Sequence, residues 1–230
     1  MRNAERRIGK SDPNWNSIVE GWKQTQRELR GRVIIAPLSP LPRFVVGVDC
    51  AFSRDGFTVL SAAVVYDRIE KRVIEVRHAT APATVPYLPT FLSFREAPAI
   101  LAAIGKLTHP FGVICFDGQG MAHPRRCGLA THIAVTLDVP GVGVAKSRLI
   151  GTFNEPGLSA GAFSPLMHEA EQIGVVLRTK DKVRPLFVSI GHRVDLPSAT
   201  ELLMSCVKYR VPEPTRQADI EVAKLKAKHA

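Results

Sequence analysis

The sequence has little of what would carry a protein out of the cell, into a membrane or onto a soft metal. Its four cysteines, Cys50, Cys115, Cys127 and Cys206, show no CxxC spacing, and two of them end or interrupt apolar runs. They read as buried free thiols in a reducing cytoplasm, which excludes a disulfide framework. No apolar stretch approaches the length of a membrane span, and Arg2, Arg6, Arg7 and Lys10 stand at the N-terminus without the apolar segment of a leader. A soluble, cytoplasmic protein with no membrane partner is expected. Acids are also scarce: 21 Asp and Glu against 31 Lys and Arg give a formal net charge of +10 and a pI of about 9.8. Such a field favours a polyanion, with nucleic acid the best fit, although a generic basic surface gives the same count. Repeats and low-complexity tracts are missing too. At 230 residues the chain can bury a full core, and one domain over 1–230 is expected, with 1–13 a flexible basic arm and 222–230 a solvated basic tail.

What is present concentrates in Ile114 to Gly128. An apolar run from Phe111 to Phe116 reads as a buried strand that stops on Asp117, followed by Gly118 and Gly120. Glycines let a backbone approach a ligand, His123 can donate to a phosphate, and Arg125 and Arg126 bring positive charge beside a carboxylate. An acid ringed by bases suggests a metal-bridged phosphate. His123 to Leu137 reads as a helix ended by Asp138 and Pro140. His123 and Cys127 are four apart, but no further Cys/His pair completes a zinc site and no acid is placed to orient a Cys-His nucleophile.

Around this stretch the pattern alternates strands and helices. Asn14 to Arg30 reads as an amphipathic helix closed by Gly31, and Gly31 to Pro42 as an extended connection. Phe44 to Phe52, Phe57 to Tyr66 and Lys71 to Ala79 read as an antiparallel meander with a turn at Asp55-Gly56. Asp49 lies within the first strand, where it either faces a cation or merely forms a turn. Pro86 and Pro89 bracket Tyr87, which is a candidate wedge or a ring packed on the domain edge. Glu96 reads as the start of a helix to Leu107, where it is a second candidate ligand or a plain first-turn acid. Val142 to Gly151 reads as a strand ending in bases, with Lys146 either facing a phosphate or solvated, and the glycines before it lack P-loop spacing.

The C-terminal third reads as a loop over Asn154 to Ser164, strands over Glu169 to Arg178 and Arg184 to Ile190, and a helix over Ser198 to Lys208. His192 and Arg193 read as a basic rim, since Ser189, His192 and Asp195 lack the elbow of a hydrolase triad. A last helix is expected with Thr215 as N-cap and with Arg216 and Asp219 on one face. Arg125, Arg126, Lys146, Arg193 and Arg216 are all expected near the site.

Five motifs occur in order: Pro86-Tyr-Leu-Pro-Thr-Phe-Leu-Ser-Phe-Arg-Glu96, Asp117-Gly-Gln-Gly-Met-Ala-His-Pro-Arg125, Gly143-Val-Ala-Lys146, Gly191-His-Arg193 and Pro212-Glu-Pro-Thr-Arg216. Together they resemble the endonuclease V family, the deoxyinosine 3′ endonucleases, over nearly the whole chain. The resemblance implies an α/β, ribonuclease H-like fold with helices flanking a mixed sheet. It also implies Mg²⁺-dependent hydrolysis, with Mn²⁺ as a substitute, of the second phosphodiester 3′ to a deaminated adenine, leaving 3′-hydroxyl and 5′-phosphate. By motif position Asp49, Glu96, Asp117 and Asp219 are metal ligands, Lys146 steadies water or phosphate, Tyr87 is the wedge and His123 contacts the nucleic-acid backbone. Pro86, Pro89, Leu92, Gly118, Gly143 and Ala145 are expected to help bind substrate. The expected partner is deoxyinosine-containing DNA, with inosine RNA as an alternative substrate, a catalytically inactive binding module as an alternative class, and a monomer as the expected state. Thr90 departs from the glycine usual at that point of the family's motif, and a negative φ is expected there.

Overall fold

The structure, a computed structural model, describes residues 11–228. The basic arm lies almost wholly outside the described residues. Three strands open the sheet: β1 (Phe44–Phe52), β2 (Thr58–Asp67) and β3 (Arg72–Pro82), the meander expected from apolar runs separated by turns. Gly56 takes the positive φ that the first turn requires, and Asp55 accepts a bond from the Phe57 amide. Two short, wholly buried strands follow, β4 (Val113–Phe116) and β5 (Gly141–Ala145), then β6 (Phe163–His168), β7 (Glu171–Leu177) and β8 (Leu186–His192). They form one eight-stranded sheet in the order β3-β2-β1-β4-β5-β8-β7-β6. β1, β4 and β5 are parallel and the remaining neighbours antiparallel.

The helices are α1 (Trp15–Gly31), α2 (Leu92–Ile104), α3 (Leu129–Leu137), α4 (Leu196–Ser205) and α5 (Glu213–Lys228). Strand alternation sends Val46, Val48, Ile114 and Phe116 to one face, where α2 and α3 cover them with Ile100, Ala103, Ile133 and Ala134. Val45, Val113, Cys115 and Val142 go to the other face, which α4 covers with Leu202 and Leu203. On that same side α5 lies across β1 and β2, so closely that a Cβ on Gly47 would stand 2.7 Å or less from the Pro214 carbonyl and the Thr215 nitrogen. Gly47 therefore sets the height of α5, and with it the place of Asp219.

Several boundaries differ from the sequence reading. The helix expected from His123 begins at Leu129, because Gly120 and Gly128 let the 118–128 backbone fold against itself and against β8. β6 starts inside the expected loop: its burial alternates at first, but an exposed Phe163 beside a buried Ser164 and a proline at 165 hide that alternation in the sequence. α2 begins at Leu92, so Glu96 is in the second turn and not at the positive helix end. α4 is capped one turn earlier by Asp195, which accepts a bond from the Ser198 amide. α5 starts at Glu213, so Thr215 is buried in the first turn, its hydroxyl donating to the Pro212 carbonyl, and does not cap. The expected tail from 222 continues that helix to Lys228. All four cysteines are free, with Cys50 only half-buried. Among the described residues no helix is long and apolar enough to cross a membrane.

Candidate active site

The register that pairs Val48 with Phe116 on adjacent parallel strands makes Asp49 and Asp117 the next residues on each. Neighbouring strands are about 4.8 Å apart, so the two carboxylates are forced together at one end of the sheet. The Asp117 amide donates to the Val48 carbonyl, which fixes this juxtaposition. Asp219 comes from α5 and is close enough to Asp49 to help raise its pKa. Glu96 comes from α2, is only 7% exposed, and is close enough to both aspartates for their charges to act on it. Lys146, the residue after β5, places its Nζ 2.6 Å from Asp117 Oδ2.

Crowding governs the electrostatics. Burial, and then the charges of Asp49 and Asp117, push Glu96 up to about 8. Burial and the Asp117 charge likewise push Asp49 up to about 7, against the pull of the Cys50 amide and Lys146. Burial opposes the charge on Lys146, but its bond to Asp117 and the charges of Asp117, Asp219 and Asp49 outweigh that and raise its pKa. Among the described residues no three His, Cys, Asp or Glu side chains close up as a metal cage. As they stand, the Lys146 ammonium supplies the neutralising charge. The donor set nevertheless fits a hard divalent cation: it is all carboxylate oxygen, and burial with like charge disfavours the ionised forms of Glu96 and Asp49 unless more positive charge is supplied.

Beside the carboxylates lies a cavity of about 290 Å³, walled by Tyr87, Pro89, Leu92, Gly118, His123 and Ala145 among others, and reaching Asp117 and Lys146. Tyr87 is 64% exposed, so it does not pack on a domain edge. Pro86 and Gly143 stand outside this wall. A Cβ on Gly143 would meet the Gly118 carbonyl at 2.7 Å and the Gly120 nitrogen at 2.5 Å, so this glycine makes room for the 118–120 loop and not for a ligand. Gln119 was not among the expected site residues, although its place between two glycines after Asp117 is a visible signal. Gln119 lines the cavity and is 9% exposed. Its Nε2 donates to the Ser147 carbonyl, which orients the amide, and its Oε1 is buried without a partner.

His123 is buried, and both ring nitrogens are taken by the protein. Nδ1 accepts from the Arg125 amide, so Nε2 carries the proton and donates to the Thr90 carbonyl at 2.9 Å. Burial, chiefly, holds this ring down to about 4, so it is neutral at neutral pH. Through these two bonds the ring supports the loop that carries Tyr87. Thr90 has φ 69°, not the expected negative value. Such a conformation is strained for a β-branched residue. It is overdetermined by its partners: Gln26 Nε2 and Arg125 Nη2 also donate to its carbonyl, and Arg125 Nη2 donates to its hydroxyl at 2.6 Å. Gln26 is fully buried and ties α1 to this loop.

The other expected bases are engaged elsewhere. Arg126 pairs with Glu171, Arg216 with Glu213, and Arg193 with Asp138. His192 pairs across from Gly141, the first residue of β5, so His192 and Arg193 rim the opposite end of the sheet from Lys146.

A sequence model of endonuclease V matches residues 27–220. The chain belongs to the endonuclease V family. Endonuclease V of Nostoc punctiforme is 44% identical over 210 residues, covering 90% of this chain and 95% of that protein. The crystal structure of the Streptomyces avermitilis enzyme is 42% identical and superposes with a TM-score of 0.87, covering 92% of this chain and 94% of that one. The Ciona intestinalis enzyme, crystallised with a 24mer DNA containing an inosine followed by a ribo-adenosine, is 27% identical with a TM-score of 0.83, covering 93% of this chain and 100% of that one. The fold is accordingly ribonuclease H-like, and the chain is a nuclease.

Proposed function

We propose that the protein hydrolyses DNA at the second phosphodiester 3′ to deoxyinosine, leaving a 3′-hydroxyl and a 5′-phosphate. The observation that carries this reading is the meeting of Asp49, Glu96, Asp117 and Asp219 beside a cavity whose mouth presents Tyr87. These four residues would hold Mg²⁺, or Mn²⁺ in its place. Held there, such an ion would supply Lewis-acid chemistry for phosphodiester hydrolysis. Lys146 is a short reach from Asp117 and is suited to steady the water or the scissile phosphate once Asp117 turns to a cation. Tyr87, exposed on a loop stiffened by Pro86 and Pro89, fills the gap left by a flipped base. The orphan Gln119 Oε1 can accept the N1–H that hypoxanthine carries and adenine lacks.

The test is cleavage of one end-labelled inosine oligonucleotide with and without Mg²⁺, with both product ends mapped. Cleavage at another bond, or of the adenine control equally well, would refute the proposal. The ribo-adenosine in the Ciona intestinalis substrate favours a second reading in which inosine RNA is cut. Matched DNA, RNA and single-ribose strands separate the two.

A further inference from the structure

On the α5 side of the sheet lies a second hollow, of about 510 Å³, lined by Lys71, Arg72, Lys180, Lys208 and Arg216 with one acid, Glu213. Arg216 is bound to Glu213 through two nitrogens and the two cancel. Lys71 spends its ammonium on the neutral Ser205 carbonyl. Arg72, Lys180 and Lys208 are exposed and have no salt bridge among the described residues. Like charges in one hollow repel, and an anion relieves them. At its rim the exposed ring of Tyr209 lies within reach of the Arg216 and Lys208 cations, at 4.8 and 5.7 Å from the ring centre.

The hollow is joined to the active site. Arg210, next to Tyr209, donates to the Lys146 carbonyl and feels the charge of Asp117. Tyr66, in the hollow, is four residues along β2 from Ala62, the partner of Asp49, a distance of about 13 Å. Glu213 is six residues along α5 from Asp219, or about 9 Å. Phosphates of one strand advance about 3.4 Å each along a duplex, so these distances span about three to four nucleotides.

We propose that this hollow is a second docking site for the phosphate backbone of the substrate strand, three to four nucleotides from the bond cut at the carboxylates. It rests on the function proposed above. It assigns a role to bases that the cleavage chemistry does not use, and it makes affinity depend on substrate length.

The experiment compares an inosine duplex that ends within about two nucleotides of the cleaved bond with one extended by about ten on either side. Binding is measured in Ca²⁺ over a salt series. In the triple variant Arg72→Glu/Lys180→Glu/Lys208→Glu, affinity for the long duplex should fall at least tenfold, while binding and cleavage of the short one stay within twofold. The slope of log K against log salt should drop by about 3, since each phosphate contact contributes about 0.9. The Gln triple variant, which removes charge without reversing it, should show the same pattern more weakly and serves if the Glu variant does not fold. A control pair on other surfaces, Arg32→Glu/Lys106→Glu, should leave the length dependence intact. Equal losses on both duplexes, or an equal effect in the control pair, would overturn the proposal. If the wild type ignores inosine, the proposed function falls, and the same length comparison on plain duplex still decides the hollow.

Discussion

The two ends of the sheet treat the same residue type in opposite ways. At the end where β2 stops and β5 starts, Asp67 and Asp138 are fully served. Asp67 takes two bonds from Arg43 and two from the Ile69 and Glu70 amides, and Asp138 takes bonds from Arg193 and His192. Those partners, the Arg43 and Arg193 bonds foremost, hold both acids down to about 2. At the other end Glu96 and Asp49 are buried with fellow acids and are pushed up to about 8 and about 7. The first pair holds the ends of strands and loops in place. The second group is costly for the free protein and useful only to a cation.

The largest effect is expected at Asp117. Asp117→Asn should lower cleavage by at least about a thousandfold, the scale on which each ~1.4 kcal/mol of lost transition-state stabilisation costs tenfold. Inosine-DNA binding in Ca²⁺ should persist, and near-wild-type turnover would refute the metal-site assignment.

Gln119→Leu comes next. Removing the orphan acceptor should cut discrimination of inosine over adenine by about ten- to a hundredfold, the effect of one buried hydrogen bond of ~1–3 kcal/mol. Inosine over guanine should not change, because guanine also carries an N1–H. Competitive cleavage of the three strands reads both ratios.

The two ends also predict opposite pH responses. Glu96 and Asp49 have folded pKa values above their unfolded ones, so between about pH 4 and 8 the folded protein binds more protons than the unfolded chain. Without divalent cation the Tm should therefore fall as pH rises through that window. Glu96→Gln should flatten the fall. Asp67 and Asp138 have folded values below their unfolded ones, so their stabilisation is complete above about pH 4 and is lost as pH falls towards 2. Arg43→Ala should lower the Tm at pH 7 by roughly 2–4 °C and leave cleavage unchanged, as thermal scans and the oligonucleotide assay would show.

The smallest effect is expected at Thr90. Thr90→Gly relieves the positive φ but gives up the bond from Arg125 to the hydroxyl, so stability should move by less than about 1 kcal/mol. Thr90→Val keeps the strain and loses the bond, and it should be the less stable of the two by denaturant titration.

Much of this was legible in the chain. Apolar runs between turn residues exposed the meander, and the stop of an apolar run on Asp117 before two glycines marked the site. The resemblance across five motifs pointed to the family. Less legible was anything that depends on what a side chain meets after folding. His123, Arg126, Arg193 and Arg216 look alike as bases near motifs, yet each is occupied by a partner from 3 to 55 residues away. The negative φ expected at Thr90 was reasonable from its neighbours alone. It fails because Gln26 and His123, 64 and 33 residues distant, fix the carbonyl's direction.

By itself the sequence determined most of the strands and helices, since apolar runs and helical spacing can be read locally, but not β6 or the loop that replaces the expected helix over 123–128. It also determined that Asp49 and Asp117 sit on or just past strands and that positive charge prevails. Only the tertiary structure decided that these acids lie abreast, that Glu96 is buried against them, and that Gln119 keeps an unpaired oxygen. The reason is physical: register between strands, desolvation and hydrogen-bond satisfaction are properties of pairs brought together from distant positions, and no local pattern encodes the partner.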